Sequence, residues 1–192
     1  MKQNLSILAL AAATLFASGA LAQTTIRAVA SGPGESPPNA SPGSSVAAFE
    51  IDGKLLRAEV PFRDLLAGTT MAHIHCCTTA AFTGTAPIAI PFVDFPLGVT
   101  AGTYTHAFDL TDAAVYDPAF LAAFGGTPAS ASAALIDAID ANEAYLNIHT
   151  SQFPAGEIRG FMVAAPIPEP ATWGMLGMGL AGLGMLKRRR RA

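Results

Sequence analysis

Between residues 25 and 163, polar and apolar positions change over short distances, and few stretches sustain a helical period. Segments 25–30, 46–52, 54–62, 70–75, 88–92, 103–110, 144–150 and 157–163 read as strands. The clearest is 54–62, where Leu56, Ala58 and Val60 fall on one face and Leu55, Arg57 and Glu59 on the other, the period-two pattern of a half-buried strand. Asp52-Gly53 between two such runs is a hairpin signal. The stretch "SGPGESPPNASPGSS", residues 31–45, is too rich in Ser, Gly and Pro for a regular element. Two short helices are expected to interrupt the strands. Asp117-Pro118 and Thr127-Pro128 each place a capping side chain before a proline at the first helical position, and Gly125 ends the first helix. Many short strands separated by turns predict an all-β, antiparallel, Greek-key-like sandwich with one or two short helices.

Both ends follow different patterns. Lys2, an apolar run over 5–16 and the small-residue stretch Ala20-Leu21-Ala22 make residues 1–22 a secretory signal peptide, cut after Ala22. At the other end Pro168-Glu169-Pro170 precedes an uncharged segment, 171–186, and a basic tail, 187–191. Sixteen residues of helix reach about 24 Å, short against a hydrocarbon core of about 30 Å. The five glycines in that segment cost about 1 kcal/mol each in a water-exposed helix, which disfavours a buried helix of a soluble domain. The basic tail after an apolar span is expected to stay cytoplasmic, with the preceding domain outside.

This tripartite terminus resembles the PEP-CTERM sorting signal of Gram-negative bacteria. The resemblance implies export through the inner membrane, a transient anchor at 171–186, cleavage near Pro168, Glu169 and Pro170 by an exosortase-type protease, and a final place at the cell surface or outside the cell. Such carriers are common in bacteria that make extracellular polysaccharide, so polysaccharide or other matrix components are the expected partners.

Removing both ends changes the charge. Residues 23–168 hold five basic and thirteen acidic side chains, a net of −8, whereas the whole chain is −3. That balance argues against nucleic acid or an anionic membrane as a ligand.

The exported part also resembles a family. "ESPPNASPGS", "AHIH" and "AYLNIHTSQFPAGEIRG" occur in this order and are similar to the CHRD domain, first named from chordin. The likeness spans about residues 24–162, within a domain set at 23–165 ahead of the sorting signal at 166–192. It implies an immunoglobulin-like or superoxide-dismutase-like sandwich, and it marks Asn147, Glu157 and Arg159 as structural motif residues. Glu157 and Arg159, two apart on a strand face, can pair with each other or with groups on a neighbouring strand, the ordinary reading being a structural ion pair near a turn. Cys76 and Cys77 depart from the family pattern.

"MAHIHCCTT", residues 71–79, concentrates the candidate chemistry. His73 and His75 share a strand face, and with His149 from another strand they can converge on zinc or copper, which suit imidazole in an oxidising compartment. His106 is a weaker fourth candidate. The same histidines can instead form a hydrogen-bonded cluster pinning strand ends. Cys76 and Cys77, the only cysteines, can be a vicinal disulfide, free thiols, a bridge between chains or thiolate ligands, and so form a candidate redox pair. No nucleophile elbow, phosphate-binding loop or paired catalytic carboxylates stand out. The sequence therefore favours a non-enzymatic surface or matrix module. Its alternative is a histidine-ligated metalloprotein, an oxidoreductase by analogy with superoxide dismutase.

Overall fold

The computed structural model describes residues 24–166. The expected signal peptide at 1–22, the sorting motif at 168–170 and the expected anchor at 171–186 lie outside the described residues. Eight strands and two short α-helices make up the described part: β1 (Thr24–Ser31), β2 (Ser44–Asp52), β3 (Leu55–Arg63), β4 (Thr69–His75), β5 (Ile88–Pro91), β6 (Gly102–Asp109), α1 (Pro118–Ala123), α2 (Pro128–Asp140), β7 (Tyr145–Thr150) and β8 (Ile158–Pro166). The all-β reading holds. The layers expected of a sandwich belong to one curled antiparallel sheet in the order β5-β4-β7-β8-β1-β2-β3-β6.

The curl follows from where the apolar residues lie. Ile26, Ala28, Leu56, Val60, Ile74, Leu146, Ile148, Ile158 and Met162, all fully buried, alternate with polar or exposed neighbours and build the inner face. Each large aliphatic side chain buried this way contributes roughly 1.5–3 kcal/mol. Aromatic residues join the two ends of the sheet. Phe92, just past β5, stacks on Tyr104 of β6 at 4.8 Å, and Phe95 stacks on Phe62 at 5.3 Å.

The turns behave as their residues require. Asp52 pairs with Leu55, so Gly53 and Lys54 form a two-residue loop, and Gly53 at its first position has φ +61°, which glycine adopts without steric cost. Asp117 accepts hydrogen bonds from the Ala119 and Phe120 backbone N–H groups, and Thr127 accepts one from Ser130. On α2 the buried residues Ala131, Leu135, Ala138 and Ile139 form one stripe facing the core. No helix among the described residues is long and apolar enough to cross a membrane.

Strands β4 and β7 position the candidate site. Unlike β3, β7 is buried on both faces. Ile74, Leu146 and Ile148 fill the inner side; His73, His75, Tyr145, Asn147 and His149 occupy the outer side, beneath connecting loops.

Candidate metal centre

Register brings the three histidines together. In the β4–β7 pairing Met71 faces His149, His73 faces Asn147 and His75 faces Tyr145. His73 and His75 are two apart on β4, and His149 lies diagonally from His73 on β7, so all three rings stand on one side of the sheet. The His73 ring lies 5.0 Å from His149 and 5.5 Å from His75, centre to centre. One ligand nitrogen from each residue falls within 4.8 Å of the others. An ion at 2.0–2.1 Å from each nitrogen needs the nitrogens about 3.4 Å apart, so binding would draw the three rings closer together.

Burial and hydrogen bonding orient these rings. His73, His75 and His149 are 7, 9 and 7 % exposed. His75 Nδ1 lies 2.9 Å from the Ala86 carbonyl and His149 Nδ1 lies 3.0 Å from the Pro154 carbonyl. A carbonyl accepts only, so each Nδ1 carries its proton and donates it, and each Nε2 presents a lone pair. Those two Nε2 atoms, with His73 Nδ1, are buried and have no hydrogen-bond partner. Burial, together with the neighbouring imidazoles, holds His73 down to about 4. His75 is also held down to about 4 by burial, against the opposing pull of the Ala86 carbonyl. His149 is lowered by the same burial, opposed by the Pro154 carbonyl. At neutral pH the three rings are therefore neutral bases with free lone pairs. His75 and His149 bond loop carbonyls, as a cluster that pins strand ends would, but none of the three rings bonds another.

His106, on β6, lies outside this group and packs between Tyr104 and Phe108. Cys76 and Cys77 form a vicinal disulfide, and no free thiol occurs among the described residues. This closes the thiolate-ligand alternative. The Cys77 sulfur instead lies 3.9 Å from the Ala134 carbonyl of α2.

The motif residues depart from expectation at one point. No Glu157–Arg159 ion pair forms; among the described residues the one ion pair joins Arg63 and Asp64. Glu157 precedes β8 and is fully buried. Its Oε1 accepts hydrogen bonds from Ser41 Oγ and the Leu66 N–H, and its Oε2 accepts one from Thr150 Oγ1, each at 2.6 Å. Arg159 points elsewhere, its guanidinium 4.3 Å above the Tyr145 ring, which in turn stacks on His75 at 4.7 Å.

Asn147 donates to Glu35 Oε1 at 2.6 Å and to the Ile158 carbonyl at 2.9 Å. Gly156, at φ +131°, leaves room for this contact, since a Cβ there would sit 2.6 Å from both Asn147 Nδ2 and Glu35 Oε1. Sequence reasoning missed Glu35 and Ser41 as partners of this motif. Both lie in "ESPPNASPGS", but nothing in their spacing points to residues more than a hundred positions away.

The PEP-CTERM protein-sorting motif matches residues 166–191, which marks the chain as an exported protein sorted to the cell surface in Gram-negative bacteria and processed by an exosortase. No curated protein and no solved structure matches the chain. The CHRD domain model matches residues 26–162, more than half of the chain and nearly all of the curled sheet, and the protein therefore belongs to the CHRD-domain family.

Proposed function

We propose that this protein is a surface module whose CHRD domain binds one divalent metal ion, zinc or copper(II), through His73, His75 and His149. The observation that carries the reading is the meeting of three buried histidines, each of which has a buried ring nitrogen with no protein partner. A buried polar atom without a partner costs about 1–3 kcal/mol, and a cation on the three lone pairs removes that cost for all of them. The two Nδ1–H bonds to backbone carbonyls supply the outer shell that orients metal-binding histidines. Neutral rings also mean that binding at pH 7 displaces no proton. Three imidazoles leave the fourth position of a tetrahedral ion to water or another ligand.

In this reading residues 1–22 are removed on export, 23–165 form the working domain and 166–192 serve only for sorting, with 171–186 as a passing inner-membrane anchor. Extracellular polysaccharide or another matrix component is the surrounding partner. Metal analysis of the protein purified from its host's surface fraction tests the site: about one zinc or copper per chain is expected, and a metal-free product from metal-replete cells would refute it. The intact mass of the same sample is expected to end near residue 170. A product still carrying the basic tail would contradict the sorting reading.

A further inference from the structure

The exported domain is acidic and has only five basic side chains, yet two of them, Arg27 and Arg159, line one open pocket of about 630 Å³ on the outer face of β1 and β8. Arg159 is 4 % exposed, and its Nε–H has no acceptor. Among the described residues no carboxylate lies within 4.0 Å of its guanidinium, whose charge rests instead against the Tyr145 and Phe161 rings at 4.3 and 5.2 Å. A guanidinium withdrawn from water ordinarily takes a carboxylate on its planar fork, and here that partner is missing.

Glu35, the one acidic residue lining the pocket, already accepts a hydrogen bond from Asn147, and burial raises its affinity for a proton. The Asn147 hydrogen bond and the Arg159 charge oppose that shift, but no Glu35 oxygen comes within 4.0 Å of the guanidinium, so the planar fork itself stays without a carboxylate. Phe82, 58 % exposed, stands edge-on to Phe161 at 5.7 Å and adds an aromatic wall beside the cations.

We propose that this pocket binds the carboxylate of a ring-bearing acid, with Arg159 as the buried anchor, Arg27 at the mouth, and Phe82 and Phe161 packing against the ring. This site shares no residue with the three histidines, although the Tyr145 ring lies between Arg159 and His75, and the proposal does not depend on the metal reading. Its chemistry is shared by sugar acids and aromatic acids.

NMR of the full chain, 15N-labelled and held in detergent, reads the site directly. Glucuronate or benzoate is expected to shift the Arg159 Nε–H resonance saturably, while glucose and methyl benzoate leave it in place. Tighter binding of glucuronate identifies a sugar acid, and tighter binding of benzoate an aromatic one. Arg159→Lys keeps the charge but loses the fork, and followed through the Gly34 and Phe161 amides it should weaken binding by about tenfold or more. Arg27→Gln, at an exposed position, should weaken it about threefold. The proposal is overturned if neither acid gives a saturable shift or if the neutral analogues bind equally well. Wild-type binding in both folded variants would also overturn it, and equal affinity for sulfate would reduce the pocket to a general anion site.

Discussion

Two buried polar groups adjoin the same strand, β7, Glu157 through Thr150 and the histidine group through His149, and they differ in one respect. Glu157 is fully buried, and its carboxylate oxygens accept three short hydrogen bonds from Ser41, Leu66 and Thr150. His73, His75 and His149 are nearly as buried, yet each leaves a nitrogen without a partner. A saturated cluster pins one strand end to the loops around it and has no capacity left for a ligand. An unsaturated one carries a desolvation cost that the fold retains, which the proposed ion would remove. The first group is saturated by the protein, and the second is the one proposed above to hold a cation.

Breaking the saturated group should have the largest effect. Glu157→Ala strands the Ser41 and Thr150 hydroxyls and the Leu66 N–H in the interior, with an expected loss of roughly 3–5 kcal/mol in urea unfolding. A loss below about 1 kcal/mol would show that water replaces the carboxylate and that the contrast is false.

Acid should act on the other group. Burial holds His73 and His75 down to about 4, below the ordinary value of about 6.5. Between these limits the unfolded chain binds more protons than the folded one, so stability falls as pH is lowered from about 6.5 towards 4, and it is fully retained above that window. The metal-free protein is expected to lose on the order of 1–3 kcal/mol across it, read by thermal unfolding at successive pH values. A bound ion should move the onset of the loss to lower pH.

Much of the fold was legible in the sequence because its causes are local. The alternation of Leu56, Ala58 and Val60 places β3, and Asp117-Pro118 and Thr127-Pro128 place both helices. His73 and His75 were legible as a same-face pair for the same reason. Their meeting with His149 is a non-local fact: it requires β7 to pair with β4 in a register that sets His149 opposite Met71. The fate of Glu157 was hidden more deeply. Spacing suggested Arg159 as its partner, but β8 begins only at Ile158, so Glu157 turns toward Ser41 and Thr150. Arg159 is left to the aromatic rings. The state of the cysteines also could not be decided from their adjacency, which fits every alternative equally.

A smaller effect separates metal binding from folding. Among the described residues neither ring nitrogen of His73 makes a hydrogen bond, and Nδ1 is buried. His73→Phe should therefore leave the metal-free protein as stable as wild type, or more stable by about 1 kcal/mol, while abolishing the ion's stabilising effect. Destabilisation of the metal-free form by about 2 kcal/mol or more would mean that His73 serves packing instead. The smallest effect is expected from Cys76→Ala with Cys77→Ala. The bridge encloses no loop beyond its own two residues, and its sulfurs are not ligands, so zinc affinity should change by less than about twofold.

Calorimetric titration of the purified full chain with zinc, repeated with copper(II), at neutral pH tests the central claim most directly. One saturable site per chain is expected, lost in His149→Ala and kept in the double cysteine variant. A wild-type chain that takes up neither ion, or a His149→Ala chain that binds as tightly as wild type, would contradict it.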